Sequence, residues 1–91
     1  MTISLIRAKY GVHYTEITGK LLRSLPNTLA IYSLFGDIDF LVIFLCKNID
    51  EYTKITDKLT EIESVERSDS RIVSRQIKDY DFRNLRIDNE L

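Results

Sequence analysis

The sequence has few of the residues that define several specialised protein classes. It contains one cysteine, one proline, three glycines and no tryptophan in 91 residues. The lone Cys46 excludes a disulfide framework and a cysteine-based zinc motif, and it favours a reducing compartment. The longest apolar run, residues 40–46, is far shorter than a membrane span, and the N-terminus lacks the features of a signal peptide. The composition therefore predicts one folded cytoplasmic domain without a membrane segment.

Neither sign of charge predominates. Thirteen Lys and Arg residues stand against fourteen Asp and Glu residues, which gives a net charge of −1. Non-specific binding of nucleic acid depends on a general positive field, and this chain has none. The basic residues of the last third are interleaved with acidic ones, which is typical of a solvated, mixed-charge surface. We therefore expect no direct DNA binding.

The hydrophobic pattern predicts six elements in the order β-α-β-β-α-β. Strands are predicted where apolar residues alternate or run together, and helices where they recur every three or four residues. Thr15 and Asn48 are predicted N-caps, and Glu51 completes a variant of the capping box after Asn48. The predicted elements are residues 2–9, 16–25, 28–35, 38–46, 49–63 and 66–78, which make one domain over residues 2–78, followed by a charged tail of residues 79–91.

This order predicts a ferredoxin-like α+β sandwich, in which a four-stranded antiparallel sheet carries both helices on one face. The predicted third strand is apolar on both sides, with Phe40 and Val42 on one and Leu41 and Ile43 on the other. An uncovered apolar face of this kind promotes aggregation of a monomer. We therefore expect the sheet to pack against a second subunit in a homodimer.

A turn with the sequence Gly36-Asp37-Ile38-Asp39 joins the second and third predicted strands. Glycine adopts positive φ easily, and Gly-Asp pairs are common in hairpin turns. Such a turn can present carboxylates and backbone amides to a ligand. Most Gly-Asp turns, however, serve only to reverse the chain.

Two stretches resemble the ligand-binding domain, also called RAM, of the Lrp/AsnC transcription regulators. Residues 32–43, YSLFGDIDFLVI, are similar to the glycine-acidic turn of that domain, and residues 65–73, VERSDSRIV, are similar to its last strand. The resemblance covers residues 2–78. It implies a βαββαβ domain that dimerises through its sheets, assembles into octameric rings, and binds small effectors, typically amino acids, between subunits.

The chain departs from the family pattern in two ways. Full regulators of the family carry a helix-turn-helix domain first, whereas strand one here is predicted to begin at Thr2. The resemblance therefore implies a stand-alone module without its own DNA-binding domain. The threonines usual in the last strand appear as Ser68 and Ser70, which keep the hydroxyls but lose the methyl groups.

The resemblance also implies an effector site of five residues. An amino-acid ligand needs an acidic acceptor for its ammonium group and donors for its carboxylate. Asp37 and Asp39 supply carboxylates, Gly36 permits close approach of the backbone, and Ser68 and Ser70 supply hydroxyls. Without the resemblance, the same residues would be ordinary turn and strand-surface positions. We expect no catalytic residue and no cofactor.

Three functions are compatible with the sequence. The first is a non-enzymatic effector-binding and oligomerisation module of transcription regulation, which co-assembles with full-length regulators of the family. The second is a purely structural scaffold that holds a partner through its tail and carries a vestigial pocket. The third is an enzyme or metal protein built around His13, which has little support because the sequence contains no catalytic motif and no metal-ligand spacing.

Overall fold

The computed structural model describes residues 1–84 of the chain. The four strands form one antiparallel sheet in the order β2-β3-β1-β4. This arrangement, with two helices, confirms the predicted ferredoxin-like fold. No helix within residues 1–84 is long and apolar enough to cross a membrane. The elements are β1 (Thr2–Ala8), α1 (Val12–Ser24), β2 (Thr28–Ser33), β3 (Phe40–Phe44), α2 (Ile49–Glu61), β4 (Val65–Ile72) and a short 3-10 helix at Phe82–Asn84.

The core lies between the sheet and the two helices. Alternate residues of β1 and β3 are buried, as the period of a strand requires when one face is covered. Burial of each large aliphatic or aromatic side chain contributes about 1.5–3 kcal/mol. The buried apolar side chains are Ile6 of β1, Leu22 of α1, Phe40, Val42 and Phe44 of β3, and Ile55 and Leu59 of α2.

The opposite side of the sheet, which we call the open face, carries neither of the two helices α1 and α2 of the described residues 1–84. Its central apolar residues are only half-buried. Two of them, Leu5 of β1 and Leu41 of β3, pair directly across the two strands. On β4, Arg71 donates to Asp69 over 3.1 Å, and this hydrogen bond lowers the pKa of the Asp69 carboxyl. The strand register places two rows across the open face: Tyr32, Leu41, Leu5 and Asp69 in one, and Ala30, Ile43, Ile3 and Arg71 in the other.

Helix α1 begins four residues earlier than its apolar pattern predicted. Gly11 precedes the helix with φ of 123°, and its carbonyl accepts from the backbone N–H groups of Tyr14 and Thr15. The prediction that Thr15 caps the helix is wrong, because Thr15 lies inside the first turn and its hydroxyl donates to Gly11 O at 3.3 Å. The apolar periodicity starts only at Ile17, so it cannot show a first turn whose side chains are exposed.

All four strands and helix α2 are shorter than predicted, β1 by a single residue. Strand β4 ends at Ile72 instead of residue 78, because its partner β1 begins at Thr2 and only one further bond, from Val73 N to Met1 O, extends the pairing. The β2–β3 connection takes residues 34–39 out of the two strands. Helix α2 ends at Glu61 because Ile62 turns to an extended conformation. Residues 85–91 of the predicted tail lie outside the described residues.

The N-terminal cap of α2 confirms the sequence prediction. The backbone N–H of Glu51 donates to the side chain of Asn48 at 2.9 Å. In return, the Glu51 carboxylate accepts from the backbone N–H of Lys47 at 2.7 Å, one residue before the cap. The first bond satisfies an amide that the first helical turn leaves without a partner, and the second ties the chain before the cap to the helix.

Replacing Asn48 with alanine should destabilise the protein by about 1 kcal/mol, because the Glu51 amide loses its acceptor. In a domain of this size, that loss lowers Tm by about 4–8 °C. Thermal unfolding followed by circular dichroism, at one fixed protein concentration, measures the difference. Lys54→Ala, at an exposed position of the same helix, should change Tm little. Equal Tm values for Asn48→Ala and wild type would show that the cap does not stabilise the helix.

Candidate functional site

An open cleft of about 800 Å³ lies at one end of the sheet. Strands β1 and β3 are antiparallel neighbours, so the end of β1 and the residues before β3 meet at this end. The start of α1 closes the cleft from the helix side. Its lining includes Arg7, Lys9, Tyr10 and Gly11 from β1 and the loop after it, Gly36, Asp37 and Asp39 from the β2–β3 connection, and Glu66 from β4.

Asp39 ties the β2–β3 connection to β1. Its carboxylate Oδ2 accepts from the backbone N–H of Ala8 at 2.8 Å. Its own backbone N–H donates to Ile6 O at 2.9 Å, and its carbonyl accepts from Leu34 N at 2.8 Å. Three hydrogen bonds therefore hold Asp39 in place beside the last residues of β1.

Glycine is required by backbone conformation at two positions of the cleft. Gly36 has φ of 112° and Gly11 has φ of 123°, a region that other residues rarely adopt. A Cβ atom on Gly36 would meet nothing within 4 Å, so the space around it is open and the conformation alone selects glycine. Asp37 follows Gly36 and is exposed at the edge of the cleft.

The cleft contains side chains of both charges. Arg7 Nε lies 3.2 Å from Glu66 Oε2, and both side chains remain about half exposed. The Lys9 amine lies 5.9 Å from the centre of the Tyr14 ring. Two cations thus line the same cleft as the carboxylates of the β2–β3 connection. A small molecule with both an anionic and a cationic group can be bound at its two ends by such an arrangement.

The two serines predicted for the site lie elsewhere. In the β4 register, Ser68 is opposite the buried Ile6 and Ser70 is opposite the buried Ser4, so both face the helices. The hydroxyls of Ser4 and Ser70 are 2.7 Å apart, and Tyr52 donates to Ser70 O at 3.4 Å. The structure therefore brings Gly36, Asp37 and Asp39 together in one cleft and places Ser68 and Ser70 in the packing between sheet and helix.

Sequence reasoning missed Arg7, Lys9 and Gly11 as cleft residues. The topology itself held the missing information, since in an antiparallel pair the end of one strand lies beside the start of the other. The antiparallel pairing of β1 and β3 therefore places the end of β1 near Asp39.

His13 lies in the first turn of α1 and is exposed. Its ring contacts the Tyr14 ring edge-on, with 5.7 Å between the ring centres. Within residues 1–84, no group of three or more His, Cys, Asp or Glu side chains is placed to hold a metal ion. The described part of the chain thus gives no support to the interpretation of a metal centre at His13.

Comparison with known proteins identifies the family. A sequence model of the Lrp/AsnC ligand binding domain matches residues 4–81 of the chain. This chain belongs to the Lrp/AsnC family. The HTH-type transcriptional regulator FL11 of Pyrococcus furiosus is 33% identical to it over 75 residues, which cover 82% of this chain and 48% of that protein. The Lrp/AsnC chain therefore spans about half the length of this curated relative.

Solved structures share the fold of the Lrp/AsnC chain. TTHA0845 from Thermus thermophilus has a TM-score of 0.74 at 23% identity, over 86% of this chain and 96% of that one. The transcriptional regulator NMB0573 from Neisseria meningitidis, solved as a complex with L-Met, has a TM-score of 0.75 at 19% identity, over 86% and 51% of the two chains. Escherichia coli AsnC has a TM-score of 0.73 at 20% identity, over 88% and 54%.

Replacing Asp39 with alanine should destabilise the fold by about 1–3 kcal/mol, because the buried backbone N–H of Ala8 loses its acceptor. Asp39→Asn should lose less stability, since its amide oxygen can still accept the hydrogen bond from the Ala8 N–H. Asp37→Ala, at an exposed position of the same connection, should stay within about 0.5 kcal/mol of wild type. Urea unfolding measures all three variants. Equal stability of Asp39→Ala and Asp37→Ala would contradict the role assigned to the Asp39 carboxylate.

Proposed function

We propose that the chain binds a small effector of the amino-acid class in the cleft, and that it associates with a second copy through the open face. In this proposal it is a non-enzymatic, cytoplasmic module of transcription regulation. The observation that carries the proposal is the cleft itself, which is lined by both carboxylates and cations in a chain of the Lrp/AsnC family. The family model of the ligand-binding domain matches residues 4–81, a range that includes the cleft and almost all of the open face.

The proposed ligand contacts follow from the charges. The exposed Asp37 accepts from the ammonium group of the effector, and Gly36 lets the backbone come close. Lys9 donates to the effector carboxylate, because within residues 1–84 it forms no ion pair, while Arg7 is already paired with Glu66. The amine of Lys9 lies 5.9 Å from the centre of the Tyr14 ring. Asp39 fixes the connection and offers its second carboxylate oxygen. We leave Ser68 and Ser70 out of the proposed site because their side chains face the helices.

Known relatives support the effector class. The Neisseria meningitidis regulator of the same fold was solved with L-Met, which is an amino acid. The curated relative from Pyrococcus furiosus is a transcriptional regulator of about twice the aligned length. We extend both properties to this chain as part of the proposal, which includes co-assembly with longer regulators of the family.

Self-association follows from the two rows on the open face. Their centres are apolar and half-buried on β1 and β3, and their ends on β4 carry Asp69 and Arg71. An apolar centre with a charged rim is the usual composition of a protein interface. A two-fold axis would place the same rows of the two copies against each other.

Isothermal titration calorimetry against the twenty amino acids tests the effector proposal. At least one should bind to wild type, and Asp37→Asn should weaken its binding about tenfold or more, since a hydrogen bond to a charged group contributes about 1.5–3 kcal/mol. Lys9→Gln should weaken binding of the same ligand, because the cation that contacts its carboxylate is lost. Asp57→Asn, an equivalent change at an exposed position of α2, is the matched control. Absence of heat with every amino acid would contradict the proposal and leave the scaffold function as the better account.

Sedimentation velocity tests the association through the open face. Wild type should sediment as a dimer or a larger species, and Leu41→Glu should shift it toward the monomer, because a carboxylate would be buried without a partner. Ile49→Glu is the matched control, since Ile49 is 65% exposed at the start of α2, where an acidic residue is favourable. A monomeric wild type at micromolar concentration would contradict the dimer but not the effector site.

A further inference from the structure

The segment after β4 carries large apolar side chains that its own chain leaves uncovered. Ile77 is 88% exposed, Tyr80 80% and Phe82 76%. The Tyr80 and Phe82 rings lie nearly parallel on one side of the segment, with 6.2 Å between their centres and 13° between their planes. Single exposed apolar residues are common on protein surfaces, but three large ones within six residues are typical of a segment that docks on a partner.

Charged residues alternate with these aromatic residues. Asp79, Asp81 and Arg83 occupy every second position. In this structure Phe82–Asn84 form a 3-10 helix, and Arg83 Nε pairs with Asp81 Oδ1 at 3.0 Å. When the segment is extended, the three charges share the side opposite Tyr80 and Phe82. Their order along the segment is acid, acid, base. One side of residues 79–83 is thus aromatic, and the other carries an ordered set of charges.

A groove of about 450 Å³ lies between α1 and the edge strand β2. Its floor is apolar and includes Ile31, Phe40 and the backbone of Gly19. Gly19 has no side chain, and a Cβ atom there would lie 3.5 Å from the Phe40 ring, so the groove reaches down to the edge of that ring. The groove is on the helix side of the sheet and is therefore separate from the open face. It adjoins the effector cleft, with which it shares Thr15 and Glu16.

The helical wall of the groove carries three exposed charges on one stripe. Glu16, Lys20 and Arg23 are spaced four and three residues apart, and this spacing aligns them on the same side of α1. Within residues 1–84 none of the three forms an ion pair. From the end of α1 toward its start, their order is base, base, acid, which is complementary to that of residues 79–83.

We propose that residues 79–83 of one copy dock in the α1–β2 groove of a second copy. The segment runs antiparallel to α1, so that Asp79 faces Arg23, Asp81 faces Lys20 and Arg83 faces Glu16. Tyr80 and Phe82 then face the apolar floor and the β2 wall. Docking extends the segment, so the Asp81–Arg83 pair is exchanged for the pairs with Lys20 and Glu16. Arg23 and Glu16 are about 10.5 Å apart along α1, and residues 79 and 83 of an extended chain are about 13 Å apart. Flexible Arg and Lys side chains can bridge that difference.

A second copy is the occupant because of where the groove and the segment lie. In the strand order β2-β3-β1-β4, the groove is at the β2 edge and the segment leaves from β4 at the other edge. Three strand spacings, about 14 Å, separate the two edges. Tyr80 and Phe82 remain exposed on their own chain. This contact does not depend on the proposed effector site.

Disulfide cross-linking between two differently labelled chains tests the contact. One chain carries Ser33→Cys in the groove, the other carries Asn84→Cys after the segment, and both carry Cys46→Ser. Their mixture should form a two-chain disulfide product several-fold above a mixture of Ser33→Cys with Lys54→Cys, whose new thiol lies on α2. Adding Tyr80→Ser and Phe82→Ser to the tail chain should reduce the product to the control level. A mixture that never exceeds the control overturns the proposal.

Charge reversal tests the assigned pairs. Lys20→Glu with Arg23→Glu in the groove chain should abolish the cross-link, and Asp79→Lys with Asp81→Lys in the tail chain should restore it. Circular dichroism checks that each variant is folded. Restoration is a result that simple unfolding cannot produce, and failure to restore in folded chains overturns the pairing.

Two further results separate this contact from the alternatives. A single chain carrying both Ser33→Cys and Asn84→Cys should cross-link to its neighbour, and an internal disulfide within one chain would overturn the assignment to a second copy. Leu41→Glu on the open face should leave the cross-link in place, since the groove lies on the other side of the sheet. The cleft variants Asp37→Asn and Lys9→Gln should also keep the cross-link, even where they lose effector binding.

Discussion

Phe40, Val42 and Phe44 occupy one face of β3, while Leu41 and Ile43 occupy the other, so one layer of helices can cover only half of its apolar surface. Both helices pack on the first face and form the core there. The second face is the open face, and its half-buried centre is the reason to expect a second subunit. The surface that stabilises the chain and the surface proposed to join two copies are thus the two sides of one five-residue strand.

The cleft depends on the same central position of β3. Because β3 pairs with β1, the connection before β3 comes beside the loop after β1, and Asp39 bonds to the backbone of both Ile6 and Ala8. Asp37 and Lys9 are brought within one cleft by this pairing. The charges proposed to bind an effector are therefore held by the sheet hydrogen bonding and not by the loops alone.

The sequence carried enough information for the elements but not for every boundary or side-chain direction. The order βαββαβ and the Asn48 cap follow from local signals that the fold does not override. The start of α1 does not, because its first turn is exposed and the positive φ of Gly11 has no distinct sequence signal. The end of β4 depends on where its partner β1 begins. Ser68 and Ser70 resembled ligand residues, yet their direction is set by the β4 register, which the local sequence does not reveal.

The bond from Val73 N to Met1 O, at 2.8 Å, places the first residue of the chain beside the point where the tail leaves the sheet. A polypeptide fused to Met1 would therefore emerge at the root of the tail. An affinity tag at that position would compete for space with residues 74–84, whereas a fluorophore there would report on their movement. The location of the label, more than its size, would decide whether a recombinant sample assembles as the untagged chain does.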